Sequence, residues 1–342
     1  ASEIRLSVLG ADGEWQARGL DLNTTTADVQ AQPAVGAADG QVVATWNSEG
    51  QDGSIDGIYA RRFDGLGAPQ GSEFLVNETT AGSQAQPAVA VASTGAFIVV
   101  WTAEASGGSD IFGRAFGLDG AATGAESRVN AVTDLAQDHP AIAAVPGKAE
   151  YLVAWQSKGS DGDGAGIALR HLDVGGVFLS DEMQANTTTT GDQREPAVAV
   201  SPTGRVGVCW THGGADSDVR CQILKPELAT VGPEFLAHAP SVAAESAASV
   251  GWLPGGDFLV SWDAEEGDGN QKAVGVARFD PQGAPLSSRV VVNRTWAGDQ
   301  REPSLTVRPG GDVLVGWQSD GQDTAGLGVY VRLIPAPKPP TP

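Results

Sequence analysis

Hydrophobic residues along this chain fall in short runs that alternate with a period of two, and the runs recur in the same order. In the run Phe97–Trp101, Phe97, Val99 and Trp101 share one face while Ile98 and Val100 take the other; Phe258, Val260 and Trp262 repeat the pattern, as do Val313, Val315 and Trp317. This is the alternation of a strand. Both faces are largely apolar, as expected of a sheet packed between two others. The tryptophan that ends this run returns at Trp46, Trp101, Trp155, Trp210, Trp262 and Trp317, a period of about 54 residues. One copy reads as four strands. A Val76–Asn77 step leads through a polar stretch to Gln84-Ala85-Gln86-Pro87, then come the runs Ala88–Ala92 and Phe97–Trp101, a Gly/Asp loop, Ile111–Phe116, a Gly-rich hairpin and a last strand ending at Val129–Asn130. No stretch has a helical period with caps.

A repeat of this length with four short strands predicts an all-β protein, a six-bladed β-propeller of four-stranded blades. The copies run over about residues 24–77, 78–130, 131–186, 187–238, 239–293 and 294–334, the last completed by 1–23. Residues Ile4 to Asn23 align without a gap on Ile58 to Asn77, the third and fourth strands of a copy, whereas the C-terminal copy lacks its fourth strand. Glu14–Asn23 is therefore expected to close the last blade, leaving Ile4–Leu9 as an extra edge strand or loosely held arm. The tail 335–342 is proline-rich and reads as an extended linker.

The boundary asparagine recurs as Asn23, Asn77, Asn130, Asn186 and Asn293, and the opening proline as Pro33, Pro87, Pro140, Pro196 and Pro303. The fifth copy departs from the rest. It carries His238, Glu245 and Ala248 in place of Asn, Gln and Pro, and gains Trp252. If the repeats bind ligand, this blade is expected to be silent. Arg61, Arg114, Arg170 and Arg332 recur in the third strands and read as residues snorkelling from a half-buried face. Four sequons, at Asn23, Asn77, Asn186 and Asn293, coincide with the boundary motif and matter only in a eukaryotic secretory pathway.

The formal net charge of −21 argues against nucleic acid or an anionic membrane as partner. No run of about 20 apolar residues exists to span a bilayer. Cys209, next to its tryptophan, and Cys221, in the following strand, are placed for a cross-strand disulfide, which points to an oxidising compartment. The alternative is a pair of buried thiols; zinc lacks ligands, with His212 alone nearby.

Two polar sets are candidates for a site. The loops after the second strands are rich in Gly and Asp, and Asp52, Asp110, Asp161, Asp163, Asp216, Asp218, Asp320 and Asp323 are candidate calcium ligands. Their spacing matches no complete calcium loop, and ordinary turn chemistry explains them as well. No cofactor other than Ca²⁺ is suggested. The second set is Gln30, Gln84, Gln137, Gln193 and Gln300, three residues before the proline, joined by Arg194 and Arg301 where the motif becomes Asp-Gln-Arg-Glu-Pro at 192–196 and 299–303. Gln, Arg and Glu beside aromatic residues are what a sugar site uses; the alternative is that each Gln fastens its loop. The four histidines occupy different repeat positions and form no triad pattern, and there is no nucleophile elbow or phosphate loop.

The copies, in the form Gly50-Gln51-Asp52-Gly53 … Gly57-Ile58-Tyr59-Ala60-Arg61-Arg62-Phe63-Asp64 and Phe74-Leu75-Val76-Asn77 … Gln86-Pro87-Ala88-Val89-Ala90, resemble tandem repeats of large secreted bacterial surface proteins. The resemblance covers about Ile4 to Ile334 and implies a secreted or cell-surface location, with no catalytic residue to carry over. The blade number is similar to that of six-bladed fucose-binding lectins, in architecture only. The expected function is a non-catalytic propeller that binds or scaffolds, recognising a protein or polysaccharide at a cell surface. The alternatives are a multivalent lectin and a carbohydrate-active enzyme using carboxylates from several blades.

Overall fold

The computed structural model describes residues 3–336 apart from 11, 106, 215–216, 239–243, 266–270, 296 and 324–325. Every regular element is a strand. Five four-stranded antiparallel sheets and one three-stranded sheet follow one another along the chain in sequence order. They are the blades of a six-bladed β-propeller. The second blade is typical, with Gln84–Val91, Phe97–Ala105, Gly108–Phe116 and the two-residue edge Ser127–Arg128. The chain divides into two compact units, 1–160 with 168–183, and 161–167 with 184–342.

The core lies between blades. In the first unit Val43, Ile58 and Val76 of one blade pack on Val89, Val99 and Trp101 of the next. In the second, Cys209, Val219 and Ile223 pack on Val250, Val260 and Trp262. Five of the six repeat tryptophans are at most 1 % exposed and Trp317 is 6 %. The disulfide Cys209–Cys221 joins directly opposed residues of two adjacent strands.

The hairpins between third and fourth strands turn on a left-handed residue, Gly67, Gly120, Gly176 or Gly283, with φ between 81° and 89°. The fourth blade puts Leu228 there at φ 65°, and the leucine is 5 % exposed. Burial of its side chain offsets the backbone strain that glycine avoids elsewhere.

Side chains fasten each blade to the one before it. The third-strand arginines do more than snorkel: in the first unit Arg61, Arg114 and Arg170 donate to the carbonyls of Leu22, Val76 and Val129 in the preceding copy, and in the second Arg332 donates to Val292. A recurring glutamate before the fourth strand reaches back to the opening loop of its own copy. Glu73 accepts the N–H groups of Thr24 and Thr25, Glu126 those of Glu78 and Thr79, and Glu234 those of Thr187 and Thr188. Burial alone would raise the carboxyl pKa of Glu73 and Glu234, but these N–H and hydroxyl donors hold both below the ordinary range.

The N-terminal segment differs from expectation. Trp15–Asp21, expected as the fourth strand of the sixth blade, pairs with Arg5–Leu9 as a separate two-stranded sheet, and the sixth sheet holds three strands. Ile4 and Leu22 pack on Trp46, Tyr59 and Phe63 of the first blade. Asn23 Oδ1 accepts the Ile4 N–H at 2.8 Å, as Asn77 does for Ile58. Residues 4–23 thus form a third-and-fourth-strand pair of their own, because a short local loop closes at less entropic cost than a distant pairing.

Candidate functional site

The first strand of every blade carries a β-bulge immediately before its proline position, seen as a register shift such as Ala85/Ala88 or Arg301/Ser304. The bulge absorbs proline's missing N–H. It also places one residue per blade in the left-handed region: Gln32, Gln86, His139, Glu195, Ala247 and Glu302, with φ between 49° and 53°. None is glycine. Non-glycine residues held there carry strain of about 1–3 kcal/mol each and cluster at functional sites.

In the first unit these residues form a neutral chain. Gln32 Oε1 accepts the Gln86 N–H at 2.7 Å, and Gln86 Oε1 accepts the His139 N–H at 3.0 Å and the Thr102 hydroxyl at 2.8 Å. His139 Nδ1 lies 3.1 Å from Asp138.

The second unit is different. Its bulge residues read Glu195, Ala247 and Glu302, so two exposed carboxylates stand on either side of a residue with no side-chain reach. Because Ala247 cannot bond forward to the next blade, Asp263 takes over. Its Oδ2 accepts the Glu302 N–H at 3.1 Å, while Oδ1 is held by Lys272 Nζ at 2.9 Å and the Ser246 hydroxyl at 2.6 Å. Asp263 is 2 % exposed. Gln318 donates to the Glu302 carboxylate, and the Thr211 hydroxyl lies 3.5 Å from Glu195. The result is a fixed, buried Asp–Lys pair behind an accessible Glu, with a second accessible Glu two blades away. A pair of exposed carboxyl groups is the equipment of glycosidic bond cleavage.

The glutamines singled out from the sequence are elsewhere. Gln30, Gln84, Gln137, Gln193 and Gln300 are at most 2 % exposed. Gln30, Gln137 and Gln300 accept the indole N–H of Trp46, Trp155 and Trp317 at 2.9–3.0 Å, and Gln84 and Gln193 accept from the boundary asparagines Asn77 and Asn186. They fasten the repeat, and such sealed amides have no face to offer a ligand. Arg194 donates to the Gly213 carbonyl and Arg301 is half-buried in its strand. The sequon asparagines are 2–5 % exposed, and their amide N–H groups are bonded to loop carbonyls.

The described loop aspartates are engaged locally or sit in strands. Asp52 caps the Ser54 N–H, Asp110 accepts from Asn130, Asp161 from Asn186, and Asp163 from the Gly191 N–H. Asp218 opens the third strand of the fourth blade and Asp320 lies late in the second strand of the sixth. Asp216 and the Asp323 side chain lie outside the described residues. Among the described residues no three His, Cys, Asp or Glu side chains gather to hold a metal ion, and no helix is long and apolar enough to cross a membrane.

The fifth blade, expected to be silent, replaces the boundary amides with an ionisable pair. His238 Nδ1 lies 3.2 Å from Glu245 Oε1, beside the Trp262 ring. Burial pushes the Glu245 carboxyl up to about 7, opposed by the Val219 N–H, the Trp262 indole and the Arg289 charge. The repeat break at 238 and 245 was the signal for this pair. The Glu195–Ala247–Glu302 pattern was also visible in the motifs at 192–196 and 299–303, but only the bulge turns those glutamates outward.

No protein-family profile matches this sequence. No curated protein is similar to it either. Solved structures are similar in fold. The α-L-arabinanase of Penicillium chrysogenum, complexed with arabinobiose, aligns at a TM-score of 0.60 with 12% identity, over 97% of this chain and 98% of that one. The α-L-arabinofuranosidase of Fusarium graminearum with arabinobiose gives 0.60 and 12%, over 92% and 96%. An ulvan lyase bound to -[GlcA(1-4)Rha3S]- gives 0.61 and 9%, over 89% and 82%. At this identity the likeness is one of fold. It corrects the expectation of a non-catalytic binding or scaffolding propeller: these folds carry glycan-cleaving enzymes, and the expectation of no enzyme is withdrawn with it.

Proposed function

We propose that the protein is a glycan-cleaving enzyme whose acid–base pair is Glu195 and Glu302. The observation that supports this reading is the pairing of two exposed, left-handed glutamates across Ala247, with Glu302 anchored through its backbone by the Asp263–Lys272 pair. In glycoside hydrolysis one carboxyl protonates the leaving oxygen while the other carboxylate attacks the sugar or activates water. Asp263, shielded from solvent, is a positioning residue. In this reading the polysaccharide lies against the bulge residues of the second unit, and the disulfide supports a location in an oxidising compartment.

The test is incubation with arabinan and with ulvan, following new reducing ends and new unsaturated ends separately. Cleavage of either is expected, with Glu195→Gln and Glu302→Gln each slowing it by about 10²–10⁴-fold. Asp263→Asn is expected to lower kcat with little change in KM. Cleavage that both glutamine variants retain, or no cleavage of either polysaccharide, would overturn the reading.

A further inference from the structure

Three repeat positions change character together at the junction of the fourth and fifth blades. His238 stands where the other copies have asparagine, Glu245 where they have glutamine, and Arg289 where Glu73, Glu126, Glu182 and Glu234 form the backward latch. Elsewhere this junction is an amide pair plus one carboxylate. Here it is an imidazole, a buried carboxyl and a guanidinium.

Two of them, His238 and Arg289, border a cleft of about 610 Å³, within the size range of small-molecule sites. Phe279 and Leu286 form apolar wall, Ser287 and Ser288 supply hydroxyls, and His238 and Arg289 line the same space. Among the described residues none that lines it is acidic, in a chain with 42 Asp and Glu against 21 Lys and Arg. The His238 side chain is 28% exposed, whereas Glu245 behind it is 4% exposed and 3.2 Å from its Nδ1. The carboxyl thus orients the ring from the protein side and leaves its other edge to the cleft.

We propose that this cleft binds a single acidic sugar residue, its carboxylate or sulfate taken by Arg289 and His238 and its ring set against the exposed Leu286. A guanidinium N–H donates a charge-assisted hydrogen bond to such groups. The net charge of −21 repels a long polyanion, but beyond a Debye length of about 8 Å that field is screened, and the acid-free walls decide for a single residue or chain end. The sugar part of the proposal rests on the glycan reading above; the anion part does not. Among the described residues the charged and titratable groups facing Glu245 are His238, Arg289 and Asp218. Protonation of Glu245 removes a negative charge from behind His238, so anion binding strengthens as pH falls through about 7.

The experiment is titration calorimetry with D-glucuronate, D-glucose 6-sulfate and D-glucose. It is run on the wild type and on a variant reverting all three positions to the repeat's own residues, His238→Asn, Glu245→Gln and Arg289→Glu. That set is the one the other blades fold with, and thermal unfolding checks it. Binding of glucuronate or the sulfate ester but not glucose, weakened at least about tenfold by the reversion, is expected; which anion binds identifies the source. A second variant, Glu245→Gln alone, is expected to bind at pH 8 at least as tightly as wild type. Failure of both anions to bind, equal binding of glucose, or binding that survives the triple reversion would overturn the proposal. Repeating the titration on the Glu195→Gln/Glu302→Gln protein separates the two sites: the cleft is expected to bind there unchanged, whatever becomes of cleavage.

Discussion

Replacing Glu245 by glutamine should stabilise the protein at about pH 8 and leave it unchanged below about pH 4. Glu245 is 3 % exposed, and its carboxyl rises from an ordinary 4.5 to about 7. Between those values the folded protein holds a proton that the unfolded chain has released, so stability falls as pH rises through the window and stays at the lower level above it. At 1.36 kcal/mol per unit, the shift corresponds to about 3 kcal/mol. An amide at this position has no charge to bury, and five other blades already carry one there. The assay is urea unfolding of both proteins at a series of pH values from about 4 to 8, plotting the difference in unfolding free energy. It should be near zero at the acid end and grow to about 3 kcal/mol at the alkaline end. A flat difference would mean that the His238 and Arg289 charges fully compensate the buried carboxylate, and would refute the reasoning.

Other outcomes follow from the fastenings between and within blades. Reducing Cys209–Cys221, or replacing both cysteines with alanine, should cost about 2–3 kcal/mol of unfolding free energy for a loop of this length, measured by denaturation with and without reductant. Gln137→Leu should cost about 1–3 kcal/mol by leaving the buried Trp155 indole N–H without its acceptor, read from the same curves. Glu73 and Glu234 titrate below their ordinary range, so the stability they contribute is present above about pH 4.5 and lost as pH falls. Glu73→Gln and Glu234→Gln should therefore be less stable than wild type at neutral pH, with the gap closing in acid.

The blades were legible in the sequence because six copies expose the same alternation, and one tryptophan per copy fixes its phase. Cys209 and Cys221 were legible for the same reason: knowing the strand of each gives the register. The N-terminal hairpin was misjudged although its alignment on 58–77 was plain, since sequence similarity shows what a segment resembles and not which partner wins it. The arginine and glutamate latches were hidden by distance, the arginines bonding to backbone in the preceding copy and the glutamates to the opening loop of their own, where the partner has no side-chain signature. Sequence gave no access to the bulge either. Its left-handed residues are Gln, His, Glu and Ala, without the glycine that normally marks a positive φ. The His238–Glu245 pair was visible as a break in the repeat, but a break alone does not tell a lost function from a gained one.

The latches all point the same way along the chain. Arg61, Arg114, Arg170 and Arg332 bond to carbonyls 38–41 residues earlier, and Glu73, Glu126 and Glu234 accept from N–H groups 46–49 residues earlier. During synthesis every partner that these arginines and glutamates reach for has therefore already left the ribosome. Each copy can lock onto the previous one as it emerges, without waiting for sequence still to come, so the order of translation is itself an assembly order. Slowing translation between copies should leave this protein's folding yield unharmed, whereas a fold fastened forwards would leave each blade waiting with its apolar faces uncovered.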